Sequence, residues 1–345
     1  MVSEAPPFWW NDADWRAKGL APVAWAYGSI ARRIMDRRQR LRLPVPVICV
    51  GNFTVGGAGK TPTAMALAKA AVAKGRKPGI LSRGYGGSMD GPVLVDPHHH
   101  RAKDVGDEPM LLAKHAPTVI ARDRRRGAEM LIASGVDMII MDDGFQSAQI
   151  ENDYALLVID AGRGLGNGHV IPAGPVRAPV IDQLRHATAL LTVGSGAAAS
   201  DMVRRASRAG KPIHQARIVP REPSRFSSQR VFAYAGIGDP HRFFRSLEEA
   251  GAEIVRKRSF GDHHPFTDEE MRDLIADADK DDLQLVATEK DVTRLKGHHG
   301  LAEELLSRTD ALVIDMVFDQ PGVPASIVEK AIATFKDKRL SAPFG

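Results

Sequence analysis

The stretch "GNFTVGGAGKTP", residues 51–62, decides the fold, because a short apolar run leads into a glycine cluster that ends in Lys60 and Thr61. The run before it, "VPVICV" (45–50), is predicted as a buried strand, and residues 61–75 after it are predicted as a helix. A glycine-rich loop between a strand and a helix is typical of a phosphate site, since backbone N–H groups surround the phosphates and the helix N-terminus attracts negative charge. The alternative is a glycine-rich turn that holds no ligand.

The loop departs from the general P-loop pattern, G-x-x-x-x-G-K-[ST], at one position, where Thr54 replaces the first glycine. Gly56 and Gly57 supply the flexibility instead. We expect Lys60 to reach the β- and γ-phosphates of ATP and the Thr61 hydroxyl to bind Mg²⁺. The predicted ATP-binding residues are Thr54, Val55, Gly56, Gly57, Ala58, Gly59, Lys60 and Thr61.

Short apolar runs alternate with helical patterns along the rest of the chain. This alternation predicts an α/β fold with a P-loop NTPase-type, mostly parallel sheet and helices on both faces. A polar, proline-containing stretch, residues 218–230, precedes a second alternation that ends in "ALVIDMVF" (311–318). We therefore predict a P-loop kinase domain over residues 43–225 and a smaller α/β C-terminal domain over residues 226–345. The strands predicted in the first domain, besides 45–50, are 77–82, 117–121, 136–143, 154–160 and 187–194.

The composition points to an anionic partner, because the net charge is +5 and the pI is about 9.3. A nucleotide, a nucleic acid and an acidic membrane surface all fit this charge. The single cysteine, Cys49, excludes an intramolecular disulfide and is predicted as a buried structural thiol. We expect no cleavable signal peptide, since residues 1–10 lack a basic start and an apolar core. No stretch reaches the ~18 apolar residues that a membrane-spanning helix needs.

Residues 1–42 are predicted as an amphipathic, membrane-contacting helix region. All four tryptophans of the chain lie there, apolar residues recur at helical spacing behind them, and an arginine-rich segment follows. An apolar stripe, aromatic side chains and a basic flank are the features of a helix that lies in a membrane surface. The alternatives are a terminal helix docked on the core with solvated arginines and, more weakly, a DNA-binding arm.

The predicted strand "VDMIIMDDGFQ" (136–146) ends in the pair Asp142 and Asp143. A P-loop enzyme needs a carboxylate on the metal side of the nucleotide, at the end of a second strand. We therefore predict that one of the two aspartates binds Mg²⁺, directly or through water. The alternative is a pair of surface aspartates that cap the next turn.

Further polar motifs stand at the ends of predicted strands, where the ligand site of an α/β sheet forms. Arg83 and Tyr85 lie between glycines, and the arginine can contact an anionic substrate or only solvent. Asp107 stands at a helix start, where a capping role is the simpler interpretation. Arg122 opens an arginine cluster that is either an anion site or a solvated face.

The remaining candidates are a long loop and two histidine-containing turns. Residues 162–179 carry five glycines and three prolines, and a loop of this length inside a domain is usually functional. His263 and His264 stand in a turn before a capped helix, and "ATEKDVTRL" (287–295) leaves a strand. The other histidine groups lie in polar loops without cysteine or carboxylate at ligand spacing, so we expect them to be solvated rather than metal-bound.

Together these features favour a kinase-like site with an anionic acceptor over two other functions. A P-loop switch or partner-loading NTPase usually carries a lysine just before the loop glycines, where this chain has Val55. Dinucleotide binding through residues 235–243 is disfavoured because His241 stands where the third glycine belongs.

The order and spacing of seven motifs resemble the tetraacyldisaccharide 4′-kinase family over roughly residues 8–320. The resemblance implies transfer of the γ-phosphate of MgATP to the 4′-hydroxyl of a tetraacylated glucosamine disaccharide 1-phosphate, an acidic membrane lipid, to give lipid IVA. It also implies a peripheral protein on the cytoplasmic face of the bacterial inner membrane, a two-stranded linker between the domains and an active site in the cleft between them. A nucleic-acid partner is not expected. The motifs are "GNFTVGGAGKTP", "SRGYGG", "GDEP", "DDGFQ", "NGHVIPAGPVR", "FGDHHPF" and "TEKD".

The resemblance also assigns roles to residues. The catalytic aspartate falls on Asp107, which would take the hydroxyl proton, and its partner imidazole on His263, with His264 as a possible substitute. Lys60 is the third catalytic residue, and Thr61, Asp142 and Asp143 form the metal side. Many family members read "LREP" where this chain reads "VRAP", so Ala178 replaces a glutamate. The predicted substrate-binding residues are Arg83, Tyr85, Arg122, Gln146, Asn167 and Arg177.

Overall fold

The computed structural model describes residues 5–36 and 39–341. The predicted N-terminal region, 1–42, and the predicted C-terminal domain, 226–345, both include residues outside these ranges. A short 3-10 helix, Pro7–Trp9, precedes helix α1, Trp15–Met35. Asp14 caps α1, because its Oδ1 accepts the N–H group of Arg16 at 2.9 Å.

The first sheet carries the P-loop near its centre. It has nine strands in the order β13-β8-β7-β6-β1-β5-β2-β4-β3, and every neighbouring pair is parallel except β13 with β8 and β3 with β4. The strands at its centre are buried along their whole length, as expected for parallel strands covered on both faces. The strands are β1 Val47–Asn52, β2 Pro78–Ser82, β3 Val93–Leu94, β4 Thr118–Ile120, β5 Met138–Asp142, β6 Tyr154–Asp160, β7 Ala189–Val193, β8 Ile213–Pro220 and β13 Ile314–Phe318.

Helices cover both faces of this sheet, as the alternation predicts. On one face α2 and α12 bury residues such as Leu67 and Ile327 against the strands. On the other face α1, α5, α6 and α7 bury residues such as Met35, Leu131 and Met202. The helices of this part are α2 Lys60–Ala73, α3 Ala102–Val105, α4 Asp107–Leu112, α5 Arg124–Ala133, α6 Val180–His186, α7 Ser200–Arg208 and α12 Val323–Leu340.

A second, four-stranded sheet follows, in the order β10-β9-β11-β12, and all its neighbouring strands are parallel. Helices again cover both faces, and each face of the sheet has its own hydrophobic core. We call residues 230–312 the second unit. Its elements are β9 Arg230–Ala235, α8 Pro240–Glu249, β10 Glu253–Ser259, α9 Asp268–Asp281, β11 Gln284–Thr288, α10 Glu289–Leu295, α11 Leu301–Ser307 and β12 Thr309–Leu312.

The end of the chain does not pack where the predicted boundary places it. The apolar run 311–318, in which the predicted second alternation ends, is divided at Val313: β12 joins the second sheet and β13 joins the first. Helix α12 then packs on α2, so residues 314–340 lie on the first sheet rather than in a domain that extends to the C-terminus. The apolar pattern is continuous through Val313 and therefore carries no sign of the change of sheet.

Strands β8 and β13 pair antiparallel and connect the two units, in agreement with the two-stranded linker that the resemblance implies. The end of β8 lies in the polar stretch 218–230, which is predicted as the boundary between the domains. Strand β8 is only partly buried because it lies near the sheet edge, and its apolar pattern is correspondingly weak.

Helix α1 turns small residues toward the protein and large apolar residues toward solvent. Ala17, Ala24 and Gly28 are buried, and a methyl group on Gly28 would lie 3.5 Å from Pro179. The helix also carries large apolar side chains that are 42–77% exposed, and we call four of them the exposed stripe: Trp15, Val23, Tyr27 and Ile30. Among residues 5–36 and 39–341, no helix has the length and apolar character that crossing a bilayer requires.

Candidate active site

The loop between β1 and α2 has the backbone shape of a phosphate cradle. Gly56 and Gly59 have φ values of +94° and +96°, a region that glycine enters without steric cost. The loop is fixed from within, since Asn52 Nδ2 donates to the Gly56 carbonyl at 3.2 Å and Thr63 Oγ1 donates to the Gly59 carbonyl at 2.7 Å. Helix α2 begins at Lys60, so its first N–H groups face the loop.

Arg177 ties this loop to the neighbouring carboxylates. Its backbone N–H donates to Phe53 O at 2.8 Å, its Nε donates to Thr54 O at 3.0 Å, and its Nη1 lies 2.6 Å from Asp143 Oδ1. Val55 N–H in turn donates to Pro175 O at 2.9 Å. The long loop 162–179 therefore forms one wall of the cradle, and Arg177 braces the loop rather than standing free for a substrate.

Strand β5 delivers Asp142 and Asp143 beside Lys60 and Thr61. Thr61 Oγ1 donates to Asp142 Oδ2 at 3.4 Å, and Lys60 Nζ lies 3.8 Å from Asp143 Oδ2. Burial alone would raise the pKa of Asp143, but Lys60 and Arg177 outweigh burial and hold this pKa well below its ordinary value. Burial, followed by the charge of Glu108, raises the pKa of Asp142 to about 7.

The donor set at Asp142 suits Mg²⁺. Asp142 Oδ1 is buried and has no hydrogen-bond partner, while a hydroxyl oxygen, that of Thr61, lies beside the other carboxylate oxygen. Mg²⁺ prefers such oxygen ligands and is usually held by one or two carboxylates together with substrate phosphates. Within the described residues no group of three or more acidic, histidine or cysteine side chains forms a metal cage. The residues present therefore fit a Mg²⁺ ion that arrives with a nucleotide.

Arg124 holds this corner from behind. It is buried, and its guanidinium donates to the carbonyl oxygens of Leu81 at 3.1 Å and Asp143 at 3.1 Å. The sequence predicts that the arginine cluster beginning at Arg122 is either an anion site or a solvated face. Arg124 belongs to neither, because its partners are backbone carbonyls at the ends of two strands.

A second cluster joins the two units around Asp107. Its carboxylate is 2% exposed; Oδ1 accepts the Glu108 N–H at 2.8 Å, and Oδ2 lies 3.1 Å from His263 Nδ1 and 2.7 Å from Arg294 Nη1. His264 is bound elsewhere, to Glu270 at 2.9 Å. Of the two adjacent histidines, His263 is therefore the one that contacts Asp107.

The charges in this cluster set the proton affinities of the pair. Burial alone would raise the pKa of Asp107, but the His263 hydrogen bond and the charges of Lys290 and Arg294 hold it well below its ordinary value. Burial alone would lower the pKa of His263, but Asp107 outweighs burial and raises it. Asp107 is thus a firmly ionised carboxylate, and the imidazole is the stronger base of the two.

Glu108 links the Asp107 cluster to the phosphate cradle. It pairs with Lys290 of the second unit. Burial alone would raise the pKa of Glu108, but Lys290 and, more weakly, Lys60 lower it, and the Glu108 charge in turn raises the pKa of Asp142. The Asp107–His263 pair, Lys60 and Asp142 therefore belong to one electrostatic site, between the P-loop and the second unit.

The predicted substrate-binding residues fall into two groups. Arg83, Tyr85 and Arg122 are exposed: the Tyr85 ring lies 5.3 Å from the His263 ring, and Arg122 pairs with Asp90 at 2.9 Å. Gln146 and Asn167 instead bind the protein itself. Gln146 Nε2 donates to Asn52 O at 2.9 Å, and Asn167 Nδ2 donates to Ala173 O at 2.9 Å.

Sequence reasoning missed three contributors to the site: Glu108, Lys290 and Arg294. Glu108 and Lys290 stand inside the quoted motifs "GDEP" and "TEKD", yet neither was assigned a role. Arg294 follows Asp291 by three residues on α10, so the two side chains share a helix face. That spacing is the signal that could have found Arg294. Ala178, at the position of the missing glutamate, is buried, and its carbonyl accepts Gln183 Nε2 at 2.6 Å.

Comparison with known proteins confirms the resemblance. The family model for tetraacyldisaccharide-1-P 4′-kinase matches residues 16–332. The chain is 57% identical to a tetraacyldisaccharide 4′-kinase of Agrobacterium fabrum over 340 residues, which cover 99% of this chain and 98% of the relative. It is 58% identical to that of Rhizobium etli over 340 residues, with the same two coverages. A crystal structure of LpxK from Aquifex aeolicus in complex with ATP matches with a TM-score of 0.70 and 25% identity, covering 92% of this chain and 99% of that one. The chain therefore belongs to the tetraacyldisaccharide 4′-kinase family.

Proposed function

We propose that this kinase transfers the γ-phosphate of ATP to the 4′-hydroxyl of tetraacyldisaccharide 1-phosphate and forms lipid IVA. The observation that carries the proposal is the contact between Asp107 and His263, which puts an acid–imidazole pair beside the P-loop in the cleft between two units. ATP binding is supported by the loop geometry and by the Aquifex aeolicus relative, which was crystallised with ATP. Phosphoryl transfer needs positioning and charge stabilisation more than covalent chemistry, and this site offers both.

His263 is the general base in this proposal, and Asp107 is its partner. These roles are the reverse of those that the family resemblance implies. A carboxylate bonded to both Arg294 and His263 has a depressed pKa and little tendency to take a proton, whereas Asp107 raises the pKa of the imidazole. His263 Nδ1 faces Asp107, so Nε2 is the nitrogen left to receive the hydroxyl proton.

Lys60 and the metal-side residues complete the nucleotide site. The Lys60 ammonium stabilises negative charge on the transferring phosphoryl group. Thr61 and Asp142 would hold Mg²⁺, with Asp143 beside them, and the ion would neutralise charge on the β- and γ-phosphates when it is bound. Arg177 and Arg124 keep the loop and the carboxylates in register through the contacts described above.

The acceptor lies on the exposed side of His263. Arg83, Tyr85 and Arg122 supply cationic and aromatic groups suited to a phosphorylated sugar. Gln146 and Asn167 act as positioning residues, because their amides hold Asn52 and the 162–179 loop. In this proposal the site residues come from residues 43–225 and from the second unit, which closes over the nucleotide.

A membrane surface is the second partner. The exposed stripe of α1 presents apolar and aromatic side chains on one helix face, next to the basic end of that helix. Such a face enters the interfacial layer of a bilayer, and basic residues favour anionic lipids. We place the protein as a peripheral enzyme on the cytoplasmic face of the inner membrane.

A direct assay tests the proposed function. Purified protein is incubated with MgATP and a defined tetraacyldisaccharide 1-phosphate in detergent micelles, and the product is identified by mass spectrometry. We expect one added phosphate on the 4′-oxygen. ATP hydrolysis without lipid phosphorylation would contradict the proposal and would favour the switch or partner-loading NTPase instead.

A further inference from the structure

The Arg294 side chain contacts active-site groups from both units, Asp107 of the first and Gly236 of the second. Its side chain is only 11% exposed. Its Nη1 donates to Asp107 Oδ2 at 2.7 Å, and its Nη2 donates to Gly236 O at 2.8 Å and also pairs with the fully buried Asp291. We propose that Arg294 is a positioning residue for the kinase reaction. It holds the Asp107 carboxylate against His263 and offsets part of the Asp107 charge, so that the imidazole can accept a proton.

The position of Arg294 is set by the same peptide that holds His263. Gly236 O accepts the His263 N–H at 3.2 Å as well as the guanidinium, and Gly236 N–H donates to Asp291 Oδ1 at 2.9 Å. Thr288 Oγ1 adds a hydrogen bond to Asp291. The guanidinium and the imidazole therefore belong to one rigid frame in the second unit, and Asp107 of the first unit docks between them.

The charge balance explains why a cation is needed there. Three charged groups act on His263: Asp107 from α4 at 3.1 Å, Asp262 from its own turn at 3.8 Å, and Lys290 from α10. Glu108 pairs with Lys290, and Arg294 from α10 pairs with Asp107. A buried carboxylate beside an imidazole favours the protonated, cationic imidazole, which cannot act as a base. Arg294 binds Asp107 Oδ2, the same oxygen that faces His263. It therefore offsets the negative charge that would otherwise stabilise the protonated imidazole, and the neutral imidazole remains populated.

This inference rests on the proposed function, but its first test does not require activity. The full-length protein is labelled with ¹³C in its histidine rings, and His263 is titrated by NMR, its signal being assigned from the His263→Ala spectrum. We expect Arg294→Met to raise the His263 pKa by roughly one unit, the usual size of a single near-charge effect. We expect Arg294→Lys, which keeps the charge, to leave the pKa near its wild-type value.

The kinetic counterpart is the pH profile of kcat in the micelle assay. For Arg294→Met the acid limb should move to higher pH, so the rate at pH 7 falls about tenfold and largely recovers in alkaline buffer. Arg294→Lys should lower kcat by a similar factor at every pH, because an ammonium cannot span Asp107, Gly236 and Asp291 together. The matched control is Arg308→Met, since Arg308 pairs with Asp279 in the second unit away from the site.

Three results would overturn the inference. One is an unchanged His263 pKa in Arg294→Met together with a rate loss that is the same at every pH, which would make the residue structural only. Another is a full wild-type rate. A third is loss of rate in the Arg308→Met control to the same degree. If Arg294→Met does not fold, as judged by its thermal midpoint, Arg294→Gln is titrated instead under the same criteria. A wild-type enzyme that fails to phosphorylate the lipid would refute the proposed function and leave the NMR result to decide on Arg294.

Discussion

Lys60 is a residue on which we expect both nucleotide binding and phosphoryl transfer to depend. It begins α2, its ammonium lies 3.8 Å from Asp143, and its side chain is 10% exposed, so water screens its charge poorly. We expect Lys60→Ala to weaken ATP binding and to lower kcat by ~10²–10³, the usual loss when one preorganised charge is removed. The measurements are calorimetric ATP affinity and transfer kinetics. Lys69→Ala is the control, because Lys69 lies on the same helix but pairs with Asp315 at 3.0 Å; equal effects in both variants would contradict the assignment.

Asp107 and His263 allow a second prediction, in which the direction of a pH shift matters more than the size of the loss. The Asp107 carboxylate raises the pKa of His263, so Asp107→Asn should lower that pKa toward its ordinary value. The neutral imidazole then persists to lower pH, and the acid limb of the kcat profile moves down while the plateau falls by ~10–10². The measurement is kcat against pH in micelles.

The control for that variant is His264→Ala. His264 stacks on Phe260 with ring centroids 5.2 Å apart and binds Glu270 instead of Asp107. We expect this variant to lose some stability and to keep the wild-type acid limb. If the limb follows His264 rather than Asp107, the pairing in the cluster is wrong.

Among the structural elements, the turn before α4 places Asp107 and leaves no room for a side chain. Gly106 has φ +94°, and a methyl group there would lie 2.5 Å from Tyr85 O. Gly106→Ala should therefore lower the free energy of unfolding by about 2–4 kcal/mol and also displace Asp107 from His263. Gly135→Ala is the matched control, since Gly135 has φ +89° with nothing within 4 Å, and it should cost only about 1 kcal/mol. Urea unfolding and transfer assays of both variants check this; equal costs would rule out the steric explanation.

How far the elements follow from sequence depends on whether the information is local. Strands β1, β5 and β6 are continuous apolar runs next to turn residues, so both the strands and their parallel pairing could be predicted. The division of the run 311–318 at Val313 could not, because both halves are apolar and only their partners differ. The same holds for the site: the loop at Lys60 is local, whereas Arg294 gains its role from Asp107, a residue 187 positions away in the chain.

Backbone strain is another feature that the sequence alone does not reveal. Asp143 and His263 have φ values of +57° and +56°, a region that is uncommon for residues other than glycine but that aspartate and histidine enter more often than most. Such strain is found preferentially at functional sites, where surrounding contacts maintain it. Here the Arg177 ion pair holds Asp143, and the Gly236 carbonyl and Asp107 hold His263. A motif can place these residue types in order, but only the assembled contacts fix their unusual backbone.

At the scale of the whole molecule, charged contacts hold the second unit over the nucleotide site. Besides the Asp107 cluster, Lys114 pairs with Glu289 at 2.6 Å and Arg163 pairs with Asp239 at 3.2 Å. These pairs are part-exposed, so each contributes little to stability alone. Ion pairs of this kind separate more readily than an apolar interface does, which suits the proposed cleft that admits ATP and then closes.

The orientation of the whole molecule on a membrane gives the last prediction. If the exposed stripe of α1 enters the lipid interface, replacing Trp15, Val23, Tyr27 and Ile30 by serine removes apolar area that the bilayer would otherwise cover. The variant should no longer sediment with anionic phospholipid vesicles and should lose transfer to lipid in micelles. Its ATP affinity should remain at the wild-type value, because the cradle lies on other elements.

The matched control for the stripe is Val72→Ser combined with Leu340→Ser, which removes exposed apolar side chains from α2 and α12. This variant should bind vesicles and turn over lipid as the wild type does. Because the buried face of α1 is formed by Ala17, Ala24, Gly28 and Met35, the stripe substitutions leave its packing intact, and the thermal midpoint should stay unchanged. Vesicle binding that survives the stripe substitutions would move the membrane contact to another surface, whereas a lowered thermal midpoint would mean that the stripe serves the fold instead.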